Sequence, residues 1–173
     1  VLIEDTCESL GSTYQGKALG TFGDFGTFSF YFSHHITTGE GGMVTCKTQE
    51  DADLLKCLRA HGWSREQSNK EVIHAENPHV DPRFCFINLG YNLRPTEIAG
   101  ALGLCQLQRL DSMNSNRKAN RARLITSIKS DPRWDSQFVF PEAPENSDPA
   151  WFGFVGILQR GMEYLQKDYL KHL

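Results

Sequence analysis

The sequence lacks several features that would settle its class at once. It has no apolar run of about 18 residues, so no membrane-spanning helix is expected. Its charge has no strong sign: the formal net charge is −3, which argues against a dedicated nucleic-acid or anionic-membrane binder. It has no internal repeat and no low-complexity tract. The start has no basic stretch followed by a long apolar core, so a signal peptide is not expected. It also lacks an initiator Met, and residues 1–5 read as a buried strand entered midway. Cys7, Cys46, Cys57, Cys85 and Cys105 are odd in number and scattered, with no close pair. That pattern favours free thiols, acting as small buried hydrophobes in a reducing, cytoplasmic setting, over a disulfide framework or a zinc site.

What is present suits a globular α/β chain: 173 residues, 39% hydrophobic and 23% charged. Residues 1–5 end in acids and predict a buried strand with Asp5 at its carboxyl end. Residues 11–26 are Gly-rich and irregular. Residues 27–32, β-branched and aromatic, predict a second strand. A loop over 34–42 closes on Gly39, Gly41 and Gly42, and residues 43–46 return as a strand. A helix is expected over 50–60, with Leu54, Leu55 and Leu58 on its apolar stripe and Gly62 as its stop. Residues 64–82 read as a long surface loop. Thr96 caps a helix to about 110, with Ile98, Leu102 and Cys105 on one face, and another helix follows over 114–129. The basic residues of that second helix, Arg117, Lys118, Arg121 and Arg123, read as a solvated face. Residues 141–149 are a linker by composition, 151–158 a strand and 161–173 a helix.

Three side chains gather chemistry. Asp5 ends one strand, Ser29 lies on the next, and His34 follows Ser29 by five residues. At strand carboxyl ends of an α/β sheet, side chains reach a ligand crevice. A carboxylate there can keep a pyridinium nitrogen protonated, a hydroxyl can bind phosphate, and an imidazole can move protons near neutral pH. Spacing alone leaves the plain alternatives open: a capping Asp5, an ordinary strand Ser29 and a structural histidine. A metal site from His34, His35 and Glu40 is disfavoured by the neighbouring glycines, and no metal is expected. His61 reads as a helix-terminal structural residue.

Four segments, in order, carry a resemblance. They are Ile3-Glu4-Asp5-Thr6-Cys7-Glu8-Ser9-Leu10-Gly11, Gly20-Thr21-Phe22-Gly23-Asp24-Phe25-Gly26-Thr27-Phe28-Ser29-Phe30, His35-Ile36-Thr37-Thr38-Gly39-Glu40-Gly41-Gly42, and Gly90-Tyr91-Asn92-Leu93-Arg94-Pro95-Thr96-Glu97-Ile98-Ala99-Gly100-Ala101-Leu102-Gly103. Together they resemble the DegT/DnrJ/StrS sugar aminotransferase family. The resemblance implies an incomplete three-layer α/β fold of the aspartate-aminotransferase type (fold type I). Residues 1–140 would be the later part of the large cofactor-binding domain, and 150–173 the beginning of a small α+β C-terminal domain. It also implies pyridoxal or pyridoxamine 5′-phosphate as cofactor, with Asp5 on the pyridine nitrogen and Ser29 on the phosphate. Asn92 would reach the phosphate bound by the partner subunit of a homodimer.

One position departs from the family. Its motif has a lysine, the covalent anchor of the cofactor, where this chain has His34. Imidazole makes no stable covalent bond of that kind but can accept and return a proton. The swap resembles a subgroup of 3-dehydratases that act on nucleotide-linked 4-keto-6-deoxyhexoses in deoxysugar and lipopolysaccharide biosynthesis. These hold pyridoxamine phosphate non-covalently and use the histidine as base. One branch adds a [2Fe–2S] cluster and takes electrons from a reductase. With no close cysteine pair, this chain fits the branch that regenerates its amine from glutamate. The alternatives are a sugar aminotransferase with an unusual proton carrier and a catalytically silent family member. In an extended backbone His35 would point away from His34. The chain reads as a fragment, inactive by itself.

Overall fold

The computed structural model describes residues 1–171. Five strands come first: β1 (Ile3–Asp5), β2 (Thr13–Tyr14), β3 (Lys17–Ala18), β4 (Phe25–Ser29) and β5 (Gly42–Cys46). The central strand β4 pairs parallel with β1 and antiparallel with β5. The register sets Ile3 opposite Phe25 and Asp5 opposite Thr27, so β1 and β4 deliver their carboxyl ends to one edge. Between them β2 and β3 form a hairpin that turns at Gln15 and Gly16, both at positive φ (50° and 75°), as the primed two-residue turns require.

The crossover from β1 to β4 is held by one side chain. Glu4 accepts hydrogen bonds from the backbone amides of Gly20 (2.7 Å), Phe22 (2.6 Å) and Gly23 (2.6 Å). Burial pushes its carboxyl up, but the amides of Gly23, Gly20 and Phe22, with Lys17, outweigh burial and hold it below its ordinary value. At Gly26 no side chain fits, because a Cβ there would lie 2.2 Å from the Gly20 carbonyl oxygen.

Helix α1 (Gln49–Arg59) starts at Thr48, whose hydroxyl accepts from the Asp51 amide at 3.0 Å, and ends before His61 and Gly62, both at positive φ. Its buried face carries Asp53 and Cys57, whereas Leu54 of the expected apolar stripe is 44% exposed. The reason is polar: Asp53 accepts from Gln49 Nε2 (2.7 Å) and the Ser68 amide (2.9 Å), which draws the following segment over that face. That segment, expected to be a surface loop, contains α2 (Lys70–Glu76). Buried Ser64 anchors it through a 3.1 Å hydrogen bond with His74 Nε2.

Helix α3 (Glu97–Leu107) begins at Thr96 as expected, its hydroxyl accepting from the Ala99 amide at 3.2 Å. It buries no residue: Ile98, Leu102 and Leu104 are all exposed. Helix α4 (Leu110–Ser130) starts four residues before the expected 114, and of Arg117, Lys118, Arg121 and Arg123 only Arg123 is exposed as expected. Arg117 donates to the Phe152 carbonyl (2.9 Å) and Lys118 pairs with Asp148 (2.6 Å). Arg121 donates to the Pro141 carbonyl and lies 3.7 Å over the Trp151 ring. The supposed linker is therefore strapped to α4. It also supplies β7 (Ser147–Asp148), which pairs with β2.

The last strands are short. β6 (Phe138–Val139) pairs antiparallel with β8 (Ile157–Leu158), so the strand expected over 151–158 shrinks to two residues. Trp151 stands at φ 47°, which breaks an extended run. Helix α5 (Gln166–Leu170) follows; His172 and Leu173, the end of the helix expected over 161–173, lie outside the described residues. Two further expectations fail. The edge strand β1 leaves Leu2 and Ile3 exposed, and of the cysteines only Cys57 and Cys85 are buried, Cys105 being exposed. Among the described residues no helix is long and apolar enough to cross a membrane.

The Glu4 clamp generates a test. Glu4→Ala leaves three amides without their acceptor and should cost about 2–3 kcal/mol in denaturant unfolding. Because the folded carboxyl sits below its ordinary 4.5, its contribution is present above that pH and is lost as pH falls through the folded value. The acid-induced loss of stability below pH 4.5 should be smaller in Glu4→Gln than in wild type.

Candidate active site

The parallel pairing of β1 and β4 assembles one edge of the site. Asp5 is exposed at the end of β1, and its Oδ1 accepts from the Cys7 amide at 3.2 Å. The side-chain hydrogen bond from Cys7, its backbone amide and the Thr27 hydroxyl keep the Asp5 carboxyl low, hence ionised at neutral pH. Ser29 closes β4 two residues beyond Thr27, on the same face of the strand. Its hydroxyl accepts from the Tyr31 amide at 3.3 Å. The expected strand over 27–32 thus runs over 25–29 instead, and this shift puts Ser29 at the strand end rather than within it.

Beyond Ser29 the chain turns tightly. The His34 amide donates to the Tyr31 carbonyl at 3.0 Å. Two bonds of 2.9 Å then close the loop base: Phe30 N–H to the Gly41 carbonyl and Thr38 N–H to the Phe30 carbonyl. Ile36 is buried beneath it. Gly42 fits because a Cβ there would meet the Phe28 carbonyl oxygen at 2.7 Å. The loop is consequently a fixed support for His34.

The half-buried His34 ring lies 5.1 Å from the Phe152 ring and 6.0 Å from that of Tyr31. Its Nδ1 is shielded from solvent with no hydrogen-bond partner. His35 has no exposed surface, and neither ring nitrogen has a partner. Burial, then Arg117, pushes its pKa down to about 4; the Ala150 carbonyl opposes this without reaching hydrogen-bonding geometry. The backbone here is a turn, not an extended strand, so the expected opposition of the two rings does not arise. Both pack on Phe152, at 5.1 and 5.8 Å.

Asn92 is elsewhere. It is exposed and bridges to Ala60 after α1, and no hydrogen bond or ring contact joins it to Asp5, Ser29 or His34. Phe152 and Arg117 went unnoticed in the sequence as parts of this region. The Trp151-Phe152 pair and the basic stripe of α4 were visible, but nothing local linked them to the histidines. A groove of about 390 Å³ is lined by Glu8, Tyr14, Leu19, Trp151 and Phe152 among others.

Known proteins resemble this chain in sequence and in fold. Residues 1–173 match the DegT/DnrJ/EryC1/StrS aminotransferase family. The chain belongs to that family. This DegT-family chain is 37% identical, over 175 residues, to the GDP-4-keto-6-deoxy-D-mannose 3-dehydratase of Escherichia coli O55:H7, covering 100% of this chain and 44% of that protein. A crystal structure of a histidine-to-asparagine mutant of GDP-4-keto-6-deoxymannose-3-dehydratase with bound GDP-perosamine superposes with a TM-score of 0.86 at 35% identity, over 100% of this chain and 44% of that one. Another structure of that enzyme, with a trapped PLP-glutamate geminal diamine, gives 0.83 at 34% identity over 96% and 42%. The chain therefore has the α/β fold of these proteins over the part it spans, which is less than half of their length.

The His35 environment makes a pH prediction. Its folded pKa lies below the ordinary 6.5, so the unfolded chain takes up the proton first as pH falls. Stability should be full above pH 6.5 and decline toward pH 4. His35→Leu should flatten that part of the thermal-midpoint profile; an unchanged slope would show that another group carries it.

Proposed function

We propose that this chain is the part of a pyridoxamine-phosphate-dependent 3-dehydratase that holds the cofactor ring and the catalytic base, acting on a nucleotide-linked 4-keto-6-deoxyhexose. The observation that carries this reading is His34. A proton carrier unable to anchor the cofactor covalently stands five residues after Ser29, where the family motif has lysine. A sugar aminotransferase is the weaker reading, because that reaction needs the missing amine.

The residues present fit the cofactor. Asp5 offers an ionised, exposed carboxylate of the kind that accepts from a pyridinium N–H. Ser29 offers a hydroxyl at the neighbouring strand end for the phosphate. When bound, the cofactor supplies an electron sink and an amine that condenses with a sugar ketone. Asp5 would keep that sink effective by holding the ring nitrogen protonated. His34 would take a proton from the cofactor carbon that bears the amine and pass it to the C3 hydroxyl, which would leave as water. Glutamate is the proposed amino donor, and the product belongs to deoxysugar and lipopolysaccharide synthesis in the cytoplasm. Residues 1–140 act as part of the large domain and 150–173 as the beginning of the small one.

A homodimer with shared sites completes the proposal. Helix α3 exposes Ile98 (75%), Leu104 (69%) and Leu107 (56%), apolar surface of the kind that subunits cover. Asn92, exposed just before this helix, would serve the partner's cofactor phosphate.

Two outcomes test these roles in the full-length protein. His34→Asn should lower dehydration roughly 10²–10⁴-fold while the cofactor still binds, whereas His34→Lys should trap cofactor that borohydride fixes to the protein. Wild-type turnover in His34→Asn would end the dehydratase reading. Mixing inactive Asn92→Ala and Asp5→Ala subunits should restore part of the activity, since one site of the heterodimer keeps both residues. No rescue between folded mutants would count against a shared site.

A further inference from the structure

The geometry points to Phe152 as a positioning residue for His34, clamped from behind by Arg117. This rests on His34 being the base proposed above. A base of this kind is ordinarily aimed by a hydrogen bond from its second ring nitrogen to a carboxylate or carbonyl. His34 lacks that bond: Nδ1 is shielded and unpartnered. The loop hydrogen bonds fix its backbone but leave both side-chain torsions to packing. Two rings supply the packing. Tyr31 is a local neighbour at 6.0 Å and is itself 39% exposed. Phe152 is closer, at 5.1 Å, and comes from a distant part of the chain.

Phe152 is in turn held firmly. Arg117 and Arg121 are four residues apart, on one face of α4. Arg117 binds the Phe152 carbonyl at 2.9 Å, and Arg121 covers the Trp151 ring at 3.7 Å. Trp151 adopts a left-handed φ of 47°, which L-residues rarely take. The strained backbone lets consecutive rings serve different partners, Trp151 the Arg121 guanidinium and Phe152 the histidines. The same Phe152 ring lies 5.8 Å from buried His35, so both imidazoles share one aromatic wall. An imidazole aimed only by that wall loses its aim when the wall is cut back, and a misplacement of about 1 Å costs up to roughly 10²-fold in rate.

The test uses the full-length holoenzyme with a GDP-linked 4-keto-6-deoxyhexose. Phe152→Leu should lower kcat about 10–100-fold with KM within about twofold, and Phe152→Tyr, which keeps the ring, should stay near wild type. Arg117→Gln, which frees the Phe152 carbonyl without touching the ring, should lower kcat in the same way. Independently of turnover, histidine-labelled protein without cofactor should give a His34 imidazole resonance displaced by the Phe152 ring current. His34→Asn assigns that signal. It should move in Phe152→Leu and not in Phe152→Tyr. If Phe152→Leu keeps wild-type kcat and an unmoved His34 signal while His34→Asn is inactive, the positioning role is wrong and the base assignment stands. A loss that Phe152→Tyr fails to restore would mark Phe152 as merely structural and also overturn the inference. Wild-type turnover in His34→Asn would instead remove the reading on which it rests.

Discussion

The register between β1 and β4 is the constraint on which the rest depends. Glu4 enforces it by gathering three amides of the returning chain onto one carboxylate. Charge-assisted bonds of this kind are roughly twice as strong as neutral ones and direct the chain as well as stabilise it. With the crossover fixed, Asp5 must lie opposite Thr27 and Ser29 must end its strand on the same side. A slip of one residue would turn Ser29 to the opposite face and separate it from Asp5. The site is thus specified by a side chain that touches none of the proposed reacting groups.

From that edge outward, the structure is built more by polar ties than by a large apolar core. The fully buried large side chains are His35, Cys57 and Ser64, and Asp53 and Asn114 are buried as well. Asp53 draws the segment after α1 across the helix, and Asn114 donates to the Leu10 carbonyl at 3.1 Å. The arginines of α4 fasten residues 141–152. Much apolar surface stays exposed on α3 and β1. Such surface is costly in water, and the dimer proposed above would cover part of it.

The candidate site was legible in the sequence to the extent that its signals were local. Asp5, Ser29 and His34 lie within thirty residues and at element ends that turn chemistry marks, and the Thr96 cap and the Gly62 stop are equally local. Helix α2 was hidden because its sequence is polar and its support comes from Asp53 and Ser64, which no periodicity records. The stripe of α1 was misread for a related reason: hydrophobicity pointed to Leu54, but hydrogen bonding decided in favour of Asp53. The basic face of α4 looked like a solvated surface because composition cannot show that carbonyls and an aromatic ring from residues 141–152 lie across it. Short strands such as β6 and β8 exist only as a pair, so neither segment alone predicts them.

The adjacent histidines show how environment separates identical side chains. Both imidazoles stand on the Phe152 ring, yet His35 is sealed from solvent and His34 is half open. Sealing without a hydrogen-bond partner is unfavourable for a polar ring, and an apolar residue would fill the space at less cost. The Arg117 guanidinium, which anchors Phe152, also opposes a charge on His35. The buried ring therefore stays neutral through the physiological range. That neutrality has a consequence next door. A base that takes up a proton becomes a cation, and a second imidazolium beside it would repel that charge strongly in a poorly solvated setting. With His35 neutral, the cation left beside this ring is Arg117, whose guanidinium is already engaged with the Phe152 carbonyl. Burial first and Arg117 second thus keep His35 neutral, and the same arginine holds the Phe152 backbone behind the aromatic wall proposed to aim His34.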